Sequence, residues 1–329
     1  MQKFVPNYTV RTYTSADYSA WNDFIAQAKN ATFLFHRDFM EYHQDRFEDY
    51  SLIVEQENNW VAILPANRVG DVVFSHQGLT YGGLVFKEDL KLEKVIFIFK
   101  SLIKELYKRK VSKLILKEIP IIYCDFFSDE TKYILFLLEA KLIKRDTLAV
   151  IDLLKEIQIA KNRIEGVKRG LKNQLIVKEE NDFSSFWDSI LIPNLINKHN
   201  AKPVHTLEEI TILKQKFPKN IRQFNVYKEN ELIGGTTIFE SKNVAHSQYI
   251  SANLLKNEYG TLDYLHHYLI TEVFKNKQFF DFGISNEEQG KKLNGGLSYW
   301  KESFGSKILT QDFYEVQTKN YSKLEKVII

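Results

Sequence analysis

The sequence predicts a mixed α/β (α+β) chain built from two tandem copies of one unit, each a mostly antiparallel mixed sheet flanked by helices. Three observations predict it. The chain has 329 residues, more than one average core organises comfortably. The stretch Ile53–Gln77 aligns without a gap on Asn225–Tyr249, an offset of 172 residues. Helix and strand signals then recur in the same order in both halves.

Five of the 25 aligned positions are identical: Val54/Val226, Glu57/Glu229, Asn58/Asn230, Val72/Val244 and Ser75/Ser247. Composition alone gives roughly one or two such matches. Each half opens with an amphipathic helix, about Ser15–Ala28 and about Ser184–His199, the second interrupted by Pro193. A shorter helix follows, near HRDFMEYHQ and near TLEEITILKQ, where Thr206 and Glu209 have capping-box spacing. A hairpin with a Glu-Asn turn comes next. The long helix of the first half carries the stripe Val95, Ile96, Phe99, Leu102, Ile103 and Leu106. That of the second carries Leu262, Leu265, Leu269 and Val273. A short apolar strand (KLILKEIP or QFFDFGIS), a helical segment and a last strand (TLAVIDL or DFYEVQT) close each half. The expected domains are residues 1–154 and 155–329, with a basic linker at 155–178.

Composition narrows the function classes. Net charge is +3 and the isoelectric point about 8.5, too balanced to mark a DNA-binding protein. The single cysteine, Cys124, excludes an intrachain disulfide and a Cys-based metal cluster and fits a reducing compartment. The first residues lack a long apolar run, so no signal peptide is expected, and no run reaches membrane-spanning length. The expectation is a cytoplasmic, two-domain protein.

Phe280–Lys307 holds five of the 14 glycines. Within it, FGISNEEQGKKLNGGLSYWKESFG resembles the closing motif of FemAB-like proteins of the GNAT superfamily. Its aromatic-Lys-x-x-Phe-Gly element here is Trp300, Lys301, Phe304 and Gly305. LPANRVGDVVFSHQGLTYGG resembles the family's first-domain cleft segment, and NRIEGVKRGLKNQLIVKEE the basic stretch between the halves. The resemblance implies two tandem GNAT-like domains, the first degenerate. It implies an acyl donor, acyl-CoA or aminoacyl-tRNA, and no tightly bound cofactor. One segment departs from acetyl-CoA-using relatives. Asn257-Glu258-Tyr259-Gly260-Thr261-Leu262 keeps one glycine of the pyrophosphate loop and adds an acidic residue that repels phosphate.

Candidate site residues follow. In the closing motif, Asp281, Ser285, Asn286, Glu287 and Asn294 form either a polar wall for substrate or a long turn before a capped helix. Lys301, flanked by Trp300 and Phe304, joins them as a catalytic candidate. In AHSQYISAN, strict alternation would point His246, Gln248 and Ile250 one way and Ser247, Tyr249 and Ser251 the other. His246 and Glu287 compete as general base. Tyr249 is a candidate acid or oxyanion donor, and Gln248 a binding residue. In the first half Gln77, Tyr81 and Gly82 offer an aromatic face beside a turn, or a core tyrosine beside a tight one. Between Lys155 and Lys178, seven basic residues face two acidic ones. Arg163, Lys168 and Arg169 there suit a phosphate-bearing ligand, or a solvated helix face. His199 and His205 make a weak metal pair, and Cys124 reads as buried and inert.

The expected function is N-acyl transfer to an amine of a sugar, peptide or cell-envelope or polysaccharide precursor by direct attack. The competing reading is a non-catalytic module that binds a phosphorylated glycan or nucleotide sugar. The glycine-free counterpart of the closing stretch, IPIIYCDFFSDETKYILFLLEAKLIK, places the working site in the second half.

Overall fold

The computed structural model describes residues 7–329, without the side chains of residues 198 and 199. The chain forms two compact units, Met1–Asp146 with Thr310–Ile329, and Thr147–Leu309. The sequence reading divides the chain after Leu154 and leaves 310–329 in the second half. Instead, the strand Lys307–Gln317 runs into the first unit and pairs antiparallel with Lys113–Lys117, from Phe313 opposite Lys117 to Gln317 opposite Lys113. Periodicity shows that a strand exists but not which strand it joins.

In the first unit, β1 (Leu52–Gln56) and β2 (Asn59–Leu64) form a hairpin, followed by β3 (Asn67–Val69), β4 (Val72–Phe74), the helix α1 (Leu92–Lys108) and β5 (Lys113–Lys117). The apolar stripe of α1 is buried in full, from Val95 to Leu106. It packs in one cluster with Leu52, Val54, Leu114 and Leu116 of the strands.

The second unit holds α2 (Lys161–Lys172), β6 (Ile221–Lys228), β7 (Glu231–Glu240), β8 (Val244–Ala252), α3 (Thr261–Tyr268), β9 (Phe279–Ile284) and α4 (Gly295–Glu302). Strands β6, β7 and β8 are antiparallel neighbours, and β9 joins β8 in parallel. Residues 148–152 flank β9 on its other edge. Leu265 and Leu269 pack with Phe224, Phe280, Phe282 and Phe304 in a separate core. Pro193 does not break its helix: a wide π-turn at Trp187–Leu191 precedes Ile192–His199 and accommodates the missing N–H. Thr206 and Glu209 make the expected capping box.

The duplication is visible as register. Glu57 and Glu229 both turn their hairpins at positive φ. Val61 and Ile233 are the extra residues of the same bulge, since Val54 meets Ala62 and Glu55 meets Trp60, while Val226 meets Gly234 and Tyr227 meets Leu232. Asn67 pairs with Phe74 as Phe239 pairs with His246. Each of these pairs of positions is 172 residues apart.

Helices α2 and α3 approach closely through glycine. A Cβ on Gly166 would lie 1.9 Å from Asp263 Oδ2, and one on Gly170 2.6 Å from Tyr264 Cβ. Gly260, the glycine of the departed pyrophosphate loop, has φ +69, and a Cβ there would lie 2.1 Å from the carbonyl oxygen of Gly166. Gly260→Ala therefore meets both a left-handed backbone and a backbone clash. It is expected to lower unfolding free energy by about 2–4 kcal/mol in urea titrations. Gly295→Ala, with nothing within 4 Å of its Cβ, should stay within about 0.5 kcal/mol of the parent or gain slightly.

Candidate active site at the open edge of β8

Strands β8 and β9 share only three rungs: Val244–Phe279, Ala245–Phe280 and His246–Asp281. Strand β8 then continues to Ala252 with β7 on one edge and no strand on the other. The last rung joins two polar residues. His246 Nδ1 lies 2.9 Å from Asp281 Oδ2. A carboxylate only accepts, so Nδ1 holds the proton of this bond and Nε2 points away from Asp281. No hydrogen bond to Nε2 is made among the described residues. Asp281 is held from its other oxygen, where Gly283 N donates at 2.7 Å. Gly283 has φ +72, and a Cβ there would sit 3.1 Å from His246 Cε1. A larger residue would crowd the ring.

Lys301 of α4 supports the same turn. Its Nζ donates to the carbonyl oxygens of Gly283 at 3.1 Å and Ile284 at 2.5 Å. Burial brings its pKa down to about 8, opposed by the charge of Asp281. Beneath lies His266 of α3, fully buried among Phe280, Phe282, Trp300 and Phe304. Its Nδ1 is bonded to Leu262 O at 2.9 Å, and burial lowers its pKa to about 4, so it stays neutral. Sequence reasoning missed His266 because helical periodicity makes it one more core position.

The strand does not alternate as expected. Thr237 opposes Tyr249 while Ile238 opposes Ser247, which leaves Gln248 as a bulge. His246 therefore shares a face with Tyr249 and Ser251, and Ser247 with Ile250. Tyr249 is a correction as well. Its hydroxyl lies 2.6 Å from His205 Nδ1 and accepts from His205 N at 3.2 Å, and burial pushes its pKa up to about 12. It braces that face of the sheet and is not placed to donate to substrate.

A cavity of about 550 Å³ surrounds the free end of β8. Ile250, Ser251 and Ala252 form one wall, Leu262 and Asp263 of α3 another, and Asn294, Leu297 and Trp300 of α4 a third. Leu191, Asn194 and Leu195 cover the side shared with His246. Ile250 lies four positions beyond His246 along β8, at most about 13 Å at the rise of a strand. Asp263, also missed from sequence, ties the walls together: its Oδ1 accepts from Arg163 Nη1 at 2.6 Å and from Trp300 Nε1 at 3.1 Å.

The other sequence candidates have local structural duties. Asn294 caps α4 through Leu297 N and reaches Glu287, which is exposed. Asn286 accepts from Thr147 N and Oγ1. Ser285 is buried, with no hydrogen bond to Oγ. Arg163 is taken by Asp263, whereas Lys168 and Arg169 are exposed on α2. In the first unit Tyr81 is buried, with its hydroxyl on Thr32 Oγ1 at 2.8 Å. Gly82 sits so close to Ser75 that a Cβ would lie 1.8 Å from its carbonyl oxygen, and Gln77 exchanges two hydrogen bonds with Asn67. The tight-turn alternative describes that segment. His205 is engaged by Tyr249, His199 lies outside the described side chains, and no group of three metal-ligating residues gathers among the described residues. Cys124 is buried, its pKa raised to about 12.

The first unit carries apolar residues at the corresponding rung. Strands β4 and β5 repeat the three parallel rungs, but the third is Phe74–Ile115. The strands then stay together: Ser75 N donates to Ile115 O, Lys117 N to Ser75 Oγ, and Gly82 N to Lys117 O. One perturbed group remains nearby, Glu118, whose Oε2 is buried without a hydrogen-bond partner and whose pKa burial raises to about 7.

With these features in place, the class is clear: the fold is the mixed α/β arrangement of tandem GNAT proteins, in the FemABX-like form. Over 96% of its length the chain is similar to FemX, covering 99% of that chain at a TM-score of 0.65 and 9% identity. It is similar to L-PGS from Bacillus licheniformis over 94% of its length and 93% of that chain, at 0.60 and 11%. A tandem GNAT protein from the clavulanic acid biosynthesis pathway matches 95% of this chain over 99% of its own, at 0.54 and 10%. No family model and no curated sequence matches the chain. No helix among the described residues is long and apolar enough to cross a membrane.

Glu118→Gln supplies a test of the closed first unit. The raised folded pKa means that ionising Glu118 costs stability as pH climbs from about 4.5 through about 7. The variant should match the parent below that window and exceed it above pH 7 by no more than about 3 kcal/mol. Parallel stability curves across the window would refute the buried carboxyl.

Proposed function

We propose that the second unit is an N-acyltransferase that moves an acyl or aminoacyl group to an amine by direct attack. One observation carries this reading. The last rung of the parallel ladder is a His–Asp pair where β8 loses its strand neighbour, and its duplicate in the first unit is apolar and closed. The amine nitrogen attacks the acyl carbonyl of a thioester or ester donor. The new C–N bond forms, the C–S or C–O bond breaks, and the leaving group takes up a proton. His246 Nε2 accepts the proton lost by the amine, and Asp281 holds the ring and supports its positive charge. Backbone N–H groups along the free edge of β8 are the donors available to the carbonyl oxygen. Lys301 positions Gly283 and Ile284 and so the turn that holds Asp281.

The FemX-like fold favours an amine on a sugar, peptide or cell-envelope or polysaccharide precursor as acceptor, acting in the cytoplasm. Acyl-CoA or aminoacyl-tRNA is the donor class. The glycine of the pyrophosphate loop is used up against α2, so phosphate contacts fall to Lys168 and Arg169 instead.

His246→Ala should cut kcat/KM about 10²–10⁴-fold in a donor-release assay while leaving the melting temperature close to the parent's. Asp281→Asn should fall in the same direction by presenting the wrong tautomer. Full activity in both, with any donor that turns over, would sink the assignment. Reversing charge at Lys168 and Arg169 should weaken donor binding more at low than at high salt. Salt-independent affinity in that double variant would remove the phosphate role of α2.

A further inference from the structure

Several polar side chains in the cavity wall are engaged within the protein. Asn194 Nδ2 donates to Ser251 Oγ and to Ala252 O, both at 2.8 Å. Asp263 takes Arg163 and Trp300, and Asn294 takes Leu297 N and Glu287. Apart from Lys256 and Asn257 at one side, what remains to a ligand is the apolar wall of Leu191, Leu195, Ile250, Leu262, Leu297 and Trp300. A cavity of about 550 Å³ falls in the size range of sites that enclose a whole small molecule. An acetyl group would leave most of that wall bare.

The mouth repeats the message. Ile196, Leu254, Leu255, Leu293 and Leu297 are exposed, Leu254 at 84% and Leu293 at 58%. Each lies within two residues of a lining residue or is one itself. They come from a helix, a loop, a hairpin and α4, so nothing in the local sequence groups them. Single exposed leucines are ordinary on a protein surface. Five on the segments that supply the lining, one of them Leu297 in the wall itself, extend its apolar character toward solvent.

We infer that this cavity binds an extended hydrocarbon chain, so that the acyl transfer proposed above involves a substrate with a medium or long acyl chain. The inference rests on that reading for its place in the reaction, but the binding stands apart from turnover. The chain lies along the end of β8 with its polar head toward His246. It belongs either to the donor, as a fatty-acyl thioester, or to a lipid that carries the acceptor amine.

Binding to the full chain is measured with a fluorescent fatty acid displaced by octanoate, decanoate and dodecanoate. Affinity should rise up to about fourfold per added methylene until the cavity is full. Leu297→Trp and Leu195→Trp, each checked for an unchanged melting profile, should weaken dodecanoate more than tenfold and octanoate less. Two variants keep the test alive if one fails to fold. Affinity independent of chain length overturns the inference, as does length-dependent binding that both variants leave untouched. Dodecanoyl-CoA and vesicles containing phosphatidylethanolamine then separate a soluble donor from a lipid acceptor. Acetyl transfer without length-dependent binding removes this inference and keeps N-acyl transfer. Length-dependent binding without transfer from any donor does the reverse.

Discussion

The structure of the second unit depends on where β8 and β9 part. Three parallel rungs hold them, and the third is joined by a side-chain hydrogen bond between His246 and Asp281. Beyond it β8 keeps one neighbour, and its other edge borders a cavity. A strand edge without a partner normally invites pairing with another chain. Here helices α3 and α4 shelter it, and Asp263 fastens α2, α3 and α4 together beside it. The glycines at 166, 170 and 260 let α2 come near enough for that link.

The same parting explains why only one half is equipped. Both halves keep the turn, the bulge and the parallel ladder in register, so their backbones solve the same folding problem. The first fills its opening with its own chain, through Ser75 and Gly82. Phe74 and Ile115 then add packing where His246 and Asp281 make a hydrogen bond. A buried carboxylate such as Asp281 is costly to keep without a partner. Its survival in one copy and replacement by apolar residues in the other point to use.

Legibility in the sequence was uneven for physical reasons. The 172-residue repeat, the stripe of α1 and the Thr206 capping box are local patterns, and local patterns are readable. His246 and Asp281 were separately suspicious, one in a strand and one in an otherwise apolar run, 35 residues apart. Their pairing was not readable, because parallel register depends on a crossover through α3. Tyr249 looked functional for its neighbours in sequence, yet the bulge at Gln248 turned it toward His205. Asp263 had no signal, since an acidic residue in a first helical turn is commonplace.

The sequence by itself determined the repeated mixed α/β unit, the helix stripes, the hairpin turns and the asymmetry of the two closing stretches, because each is written within a few dozen contiguous residues. Only the tertiary structure decided that the last strand returns to the first unit, that the third rung joins histidine to aspartate, and that apolar side chains from β8, α3, α4 and the helix at Leu191–Leu195 line one cavity. Those are meetings of residues distant in the chain, and they follow from strand pairing and helix packing, which no single segment encodes.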